Sequence, residues 1–213
     1  MLNIIIADDH PVVRIGARAT IENSGFGSVI AEAATVDELL ELLATNECDV
    51  LITDLSMPGS RHADGYAMVE RICRNYPDLP VLVLSMSCNV NILRMVMTTG
   101  VRGMLDKAAS MAELPLAVQT VHKGGTYISA SLRKLTVEAS SRRTFALASK
   151  PLSPREVEVL RLLAKGLRVK EIAIKLNRGI TTISKQKSDA LRKLGIRNDV
   201  ELFDFLSREG FSG

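Results

Sequence analysis

The stretch VLITDLSMPG, residues 50–59, decides the fold. Val50 to Thr53 is a short apolar run with the length and branching of a buried strand. It ends on a carboxylate, Asp54, and a Pro-Gly pair follows at 58–59. Moving outward, Asn3 to Ala7 repeats the pattern and ends on two carboxylates, Asp8 and Asp9. Ser28 to Ala33, Val81 to Leu84 and Gly103 to Leu105 complete a set of five predicted strands. Helical patterns lie between them. Thr35-Val-Asp-Glu38 reads as a capping box, with Leu39, Leu40, Leu42 and Leu43 supplying the apolar face behind it. Another helix follows Asp64-Gly65, and Gly124-Gly125 closes the last one. Five βα units in series predict an α/β, doubly wound, five-stranded parallel sheet, whose sites lie at the carboxyl ends of the strands.

Bulk properties agree with two small domains. The chain has 213 residues, 46% hydrophobic and 24% charged, which excludes a disordered polymer. No apolar run approaches the ~20 residues that a bilayer requires. The N-terminus MLNIIIADDH has no basic region and carries two carboxylates, so a cytoplasmic protein is expected. Cys48, Cys73 and Cys88 are odd in number and lack metal-ligand spacing, which suits free thiols in a reducing compartment. Charge is divided unevenly: residues 1–149 carry a net −3 and residues 150–213 a net +6. A basic C-terminal unit suits nucleic-acid binding.

The expected organisation is a first domain over 1–125, a linker over 126–150 and a second domain over 151–213. The linker is rich in Ser, Ala and basic residues, with room for a short helix in its first half. Ser153-Pro154-Arg155-Glu156 then combines an N-cap, a Pro at the first helical position and a Glu three residues after the cap. The run VEVLRLLAKG stops at Gly166. Further helices are predicted over Lys170–Leu176, Ile180–Leu194 and Asp199–Leu206, making a four-helix, all-α unit.

In a parallel sheet, Asp8, Asp9, Asp54, Ser85 and Lys107 converge on one edge. Clustered carboxylates repel each other and call for a hard cation such as Mg²⁺. A Lys and a hydroxyl beside that cation suit a phosphoryl group, with Asp54 as the nucleophile. A lone strand-end Asp is usually a cap or turn residue; five positions on four strand ends are a different observation.

The segments ADDHP, ITDLSMPG with its following DG, VLVLSMS and GMLDKAAS resemble the receiver domain of two-component signalling, a flavodoxin-like fold. The resemblance implies that Asp54 is the phosphoacceptor. It implies that Asp9, Asp54 and the Ser56 carbonyl hold Mg²⁺, with Asp8 acting through water. Ser85 and Lys107 are then the switch and phosphoryl-binding residues. Met104 stands where that family often has a switch aromatic, which puts the aromatic form of the switch in doubt.

In the third helix of the second domain, Thr181, Lys185, Ser188 and Arg192 recur at helical spacing as a polar, basic stripe, while Ile183, Leu191 and Leu194 face away. Such a helix suits the DNA major groove. The segment from LSPREVEVL to LRKLGI resembles LuxR-type helix-turn-helix domains, which implies DNA contacts by Thr181, Thr182, Ser184, Lys185, Lys187, Ser188 and Arg192. Gly179, Ser184, Gln186 and Lys187 depart from the common pattern, so base preference is not transferable. Leu202, Phe203, Phe205 and Leu206 are divided between core and a dimer contact.

Taken whole, the chain resembles response regulators of the NarL/FixJ type, and its PGSRHADG loop and TISKQK segment look most like RcsB regulators. The implied function is non-enzymatic: a transcription factor in which phosphorylation of Asp54 controls dimerisation and binding to double-stranded DNA. The resemblance implies that a histidine kinase or histidine-phosphotransfer protein supplies the phosphoryl group, and it extends to homodimers and to heterodimers with auxiliary regulators. The alternative is a phosphorylation-independent regulator acting through heterodimer partners. A dehalogenase-type phosphohydrolase fits poorly, because DDH replaces the DxD motif after the first strand. Dinucleotide binding lacks its Gly-rich loop.

Overall fold

Alternation along the strands sorts the core into two layers. In β1 (Leu2–Ala7), Ile4 and Ile6 face one layer while Ile5 and Ala7 face the other, and all four are fully buried. The computed structural model describes residues 1–86, 90–107, 111–141, 152–194, 196, 199, 201–202 and 206; for 90–92 and 137–141 it describes the backbone alone.

The remaining strands are β2 (Gly27–Ala33), β3 (Val50–Asp54), β4 (Val81–Ser85), β5 (Gly103–Asp106) and β6 (Tyr127–Ile128). They form one parallel sheet in the order β2-β1-β3-β4-β5-β6. The sheet therefore has six strands, not the five expected. Tyr127 and Ile128 pair with Gly103 and Met104 inside the segment expected as linker. Two residues are too few for a period to register. Gly103 permits this pairing: a Cβ there would lie 2.6 Å from the Tyr127 carbonyl oxygen and from Leu82 Cδ1.

Helices α1 (Pro11–Asn23) and α5 (Leu114–His122) cover one face, contributing Ala17, Ile21, Leu114, Ala117, Val118 and Val121. Helices α2 (Val36–Thr45), α3 (Gly65–Asn75) and α4 (Val90–Met97) cover the other with α6 (Ala130–Ser141), the short helix expected after the first domain. Thr35 caps α2 by accepting from Glu38 N, and Glu38 accepts from Ala34 N, one residue earlier than the usual reciprocal bond. Met104 is fully buried in the layer of α4 and α6, where its flexible chain fills the space.

The second unit comprises α7 (Pro154–Ala164), α8 (Val169–Lys175) and α9 (Ile180–Leu194), the last with the bounds predicted for it. Ser153 and Glu156 form the expected capping box, and Gly166 (φ 80°) ends the first helix in left-handed geometry. Asn177, at φ 49°, turns the chain between α8 and α9, a conformation that Asn tolerates better than most residues. The fourth expected helix falls largely outside the described residues; Leu202 and Leu206 are buried with α7, α8 and α9, and Phe203 and Phe205 lie outside.

Candidate functional site

The sheet order reverses between β1 and β3, since β2 lies on one side of β1 and β3 on the other. A crevice opens at the carboxyl end of such a pair. Asp8 and Asp9 leave β1 there and Asp54 ends β3. Asp8 is fully buried, and its carboxylate accepts from His10 N at 2.9 Å. Arg14 fixes the same turn by donating to the Asp8 carbonyl at 2.6 Å.

Lys107 follows β5 and reaches across the sheet. Its Nζ lies 2.6 Å from Asp54 Oδ2 and 2.7 Å from Asp8 Oδ2, and the side chain is buried. Its backbone N donates to the Ser85 carbonyl at 2.9 Å, which places the ends of β4 and β5 side by side. Ser85 is buried at the end of β4. The structure thus gathers all of the first domain's predicted residues at one sheet edge, with Ser56 in the loop leaving β3.

Two oxygens in this pocket lack an aligned donor. Asp8 Oδ2 has the Lys107 charge close by without a hydrogen bond, and Asp9 Oδ1 stands likewise 2.6 Å from His10 Nδ1. Asp8, Asp9, His10 and Asp54 each present an atom within 4.8 Å of one another, a geometry that could hold a cation. Buried carboxylate oxygens without donors favour a hard divalent ion. Burial pushes the Asp54 carboxyl up to about 6; the nearby Asp8 charge adds to that rise, and Lys107 opposes it. Leu55 N steadies the other Asp54 oxygen at 2.6 Å.

Sequence reasoning missed Asp64. It stands at the N-cap position of α3, as expected, and the 55–64 loop also folds back so that its carboxylate accepts from Met57 N at 3.0 Å. Burial raises its pKa, as does the Asp9 charge, which places it beside the same pocket. The DG dipeptide was the available signal. Further out, Asp37 accepts from the backbone N–H groups of Arg61 and His62, pinning the long loop to the start of α2.

In the second unit, α9 buries Ile183, Ala190 and Leu194 and exposes Thr181, Thr182, Ser184, Lys185, Ser188 and Arg192. Leu191 is half-buried. Lys187 differs: its side chain is 18% exposed and pairs with Asp199 at 2.7 Å. Arg192 pairs with Asp189 at 2.6 Å across one turn. Lys193 lies on the inner side, 2.6 Å from the buried Glu156.

The two units touch. Arg161 of α7 donates to Glu70 of α3 at 2.5 Å, and its guanidinium lies 5.1 Å from the centroid of the Tyr66 ring. Tyr66 and Met95 pack in the second unit's apolar cluster.

Comparison with known proteins agrees with this geometry. Residues 4–119 match the response regulator receiver domain family, and residues 150–206 match the luxR family of bacterial regulatory proteins. The transcriptional regulatory protein RcsB of Escherichia coli strain K12 is 41% identical over 206 residues, covering 97% of this chain and 94% of that protein. A structure of Salmonella enterica serovar Typhimurium RcsB bound to promoter P1flhDC with the phosphomimetic BeF3⁻ has a TM-score of 0.71 at 40% identity, covering 97% of this chain and 98% of that one. A structure of two RcsB dimers bound to two parallel DNAs has a TM-score of 0.69 at 40% identity, with the same coverage. The chain belongs to the response regulators that join a receiver domain to a LuxR-type helix-turn-helix domain, and is an RcsB-like transcriptional regulator and not an enzyme.

Proposed function

We propose that phosphorylation of Asp54 controls dimerisation and DNA binding by α9. The observation that carries this reading is the buried Asp54 carboxylate, facing a lysine that it shares with a second buried carboxylate at the sheet's switch point. Above about pH 6 Asp54 is ionised, and an oxygen can attack the phosphorus of a phosphohistidine on a histidine kinase or phosphotransfer protein. As the P–O bond forms, the P–N bond breaks and its electron pair returns to the imidazole. Lys107 stays beside Asp54 and offsets the charge gained, and the Ser85 hydroxyl is the group that turns toward the phosphoryl oxygens. Asp8, Asp9, Asp54 and the Ser56 carbonyl suit Mg²⁺, which when bound would neutralise charge on the transferring group.

Exposed Val12 and Ile15 on α1 and Leu116 on the adjoining α5 supply an apolar surface suited to a homodimer. Two copies would set two α9 helices on DNA half-sites, with Thr181, Thr182, Ser184, Lys185 and Ser188 toward base edges and Arg192 toward phosphates. Lys187 contributes less, because its side chain is only 18% exposed where it meets Asp199, whereas Arg192, though paired with Asp189, is 59% exposed. Heterodimers with auxiliary regulators would use the same face. We place the receiver in 1–125, the connecting segment in 126–150 and the output domain in 151–213, although β6 and α6 of that segment pack on the receiver. No helix among the described residues is long and apolar enough to cross a membrane, which fits a cytoplasmic regulator.

The test is DNA affinity at fixed salt with and without beryllofluoride and Mg²⁺. The mimic should tighten binding by roughly 5- to 150-fold in the wild type and leave Asp54→Ala unchanged. Equal affinity in all four samples would hand regulation to a protein partner.

A further inference from the structure

Among the described residues of the output domain, two large apolar side chains are exposed: Ile174 on α8, at 82%, and Ile180, the first residue of α9, at 50%. Ile183, one turn further along α9, is fully buried, so the helix has apolar side chains enough for its own packing. Ile180 sits beside the exposed Thr181 and one turn before Ser184, at the edge of the hydroxyl and lysine stripe. A solvated position next to a polyanion gains nothing from a β-branched hydrocarbon. A position that meets base edges does, because thymine alone among the bases offers an apolar group, its C5 methyl, in the major groove. The first residues of a recognition helix are those that approach base edges.

We propose that Ile180 is a specificity-determining residue that reads a thymine methyl in each half-site. The proposal rests on α9 being the DNA-reading helix. It assigns Ile180 a role distinct from the hydroxyls and lysines: those choose among hydrogen-bonding patterns, and Ile180 separates thymine from bases without the methyl. Ile174 has the greater exposure but stands on the preceding helix, outside the stripe, and carries no such role.

The experiment uses the full-length protein with beryllofluoride and Mg²⁺ at fixed salt, on a duplex selected by this protein from a random pool. Each thymine is replaced singly by deoxyuridine, which removes the methyl and nothing else. In the wild type, at one or two thymines per half-site, the loss should cost about fourfold in affinity, the worth of one buried methyl-sized group. Ile180→Ala should bind the thymine duplex about fourfold more weakly and show no added penalty at those positions. Ile174→Ala should keep the wild-type pattern. A deoxyuridine penalty that persists in Ile180→Ala, an Ile180→Ala loss equal on every duplex, or no deoxyuridine effect in the wild type would each overturn the assignment. Thr181→Ala and Lys185→Ala report on the underlying reading: if both bind the selected duplex as the wild type does, α9 is not the reading helix.

Discussion

Two buried carboxylates in this chain face a lysine at the same distance, and they behave oppositely. Asp54 lies 2.6 Å from Lys107 in the receiver, and Glu156 lies 2.6 Å from Lys193 in the output domain. Asp54 is pushed up to about 6, whereas Glu156 is held below the usual carboxylate range. Burial raises both. At Glu156, however, Lys193 and the Ser153 backbone N–H, which donates at 2.6 Å, outweigh burial. At Asp54 the lysine is divided with Asp8, whose own charge adds to the cost. The lesson is that distance to a counter-ion does not fix the direction of the shift: burial sets it first, and the donors and like charges that share the site then decide how much is offset. The Glu156–Lys193 pair is complete as it stands, whereas the Asp54–Lys107 pair carries a second buried carboxylate, Asp8.

Removing a lysine from the complete pair should have the largest effect. Lys193→Ala strands Glu156 in a buried site and should cost about 3 kcal/mol of output-domain stability, measured by urea unfolding of the full chain. An unchanged midpoint would make the pair ornamental and erase the contrast.

Neutralising the carboxylates themselves should move stability in opposite directions. Without metal at neutral pH, Asp54→Asn should stabilise the receiver by about 2 kcal/mol, since it removes a charge that burial disfavours. Glu156→Gln should destabilise the output domain by about 1–2 kcal/mol, because it breaks a charged hydrogen bond. Two shifts of the same sign would show that the pockets do not differ in the way described.

The pH dependence sharpens the same point. Asp54 has its folded value raised from 3.8 to about 6, so its contribution is fully present below the unfolded value and is lost as pH rises through about 6. Glu156 is lowered from 4.5, so its contribution is present above that value and is lost as pH falls through its folded value. Metal-free receiver stability should therefore decline by up to ~1.4 kcal/mol per unit between about pH 4 and pH 6. Asp54→Asn should reduce that decline, with Asp64 supplying the remainder, and the output domain's share of the acid-side loss should vanish in Glu156→Gln.

The smallest effect should come from the joint between the domains. The Arg161–Glu70 pair is partly exposed and the guanidinium lies over Tyr66, so Arg161→Ala should weaken the coupling of the two unfolding transitions by about 1 kcal/mol. A double cycle with Glu70→Ala isolates the ionic part.

Much of this was legible in one dimension, and the reasons are local. A strand's alternation and a helix's 3.6-residue period are written within a dozen residues, so five strands and the bounds of α9 read directly. The Thr35 N-cap and the Ser153 capping box are equally plain. What escaped has no local period: β6 is two residues long, and Asp64 reaches the pocket only because a ten-residue excursion folds back. Lys187, a DNA contact by resemblance alone and outside the stripe, lies beside Asp199, twelve residues away.

By itself the sequence determined the kinds of element, their order and the residues that end them, and with those the convergence of Asp8, Asp54, Ser85 and Lys107 on one edge. A parallel sheet leaves no other place for residues that follow its strands. Only the tertiary structure decided how Lys107 is shared between two carboxylates, which lysines of α9 are already paired, and that Arg161 crosses 91 residues of chain to meet Glu70. Those outcomes depend on long side chains with several partners within reach, and the choice among them is made by packing and charge in three dimensions.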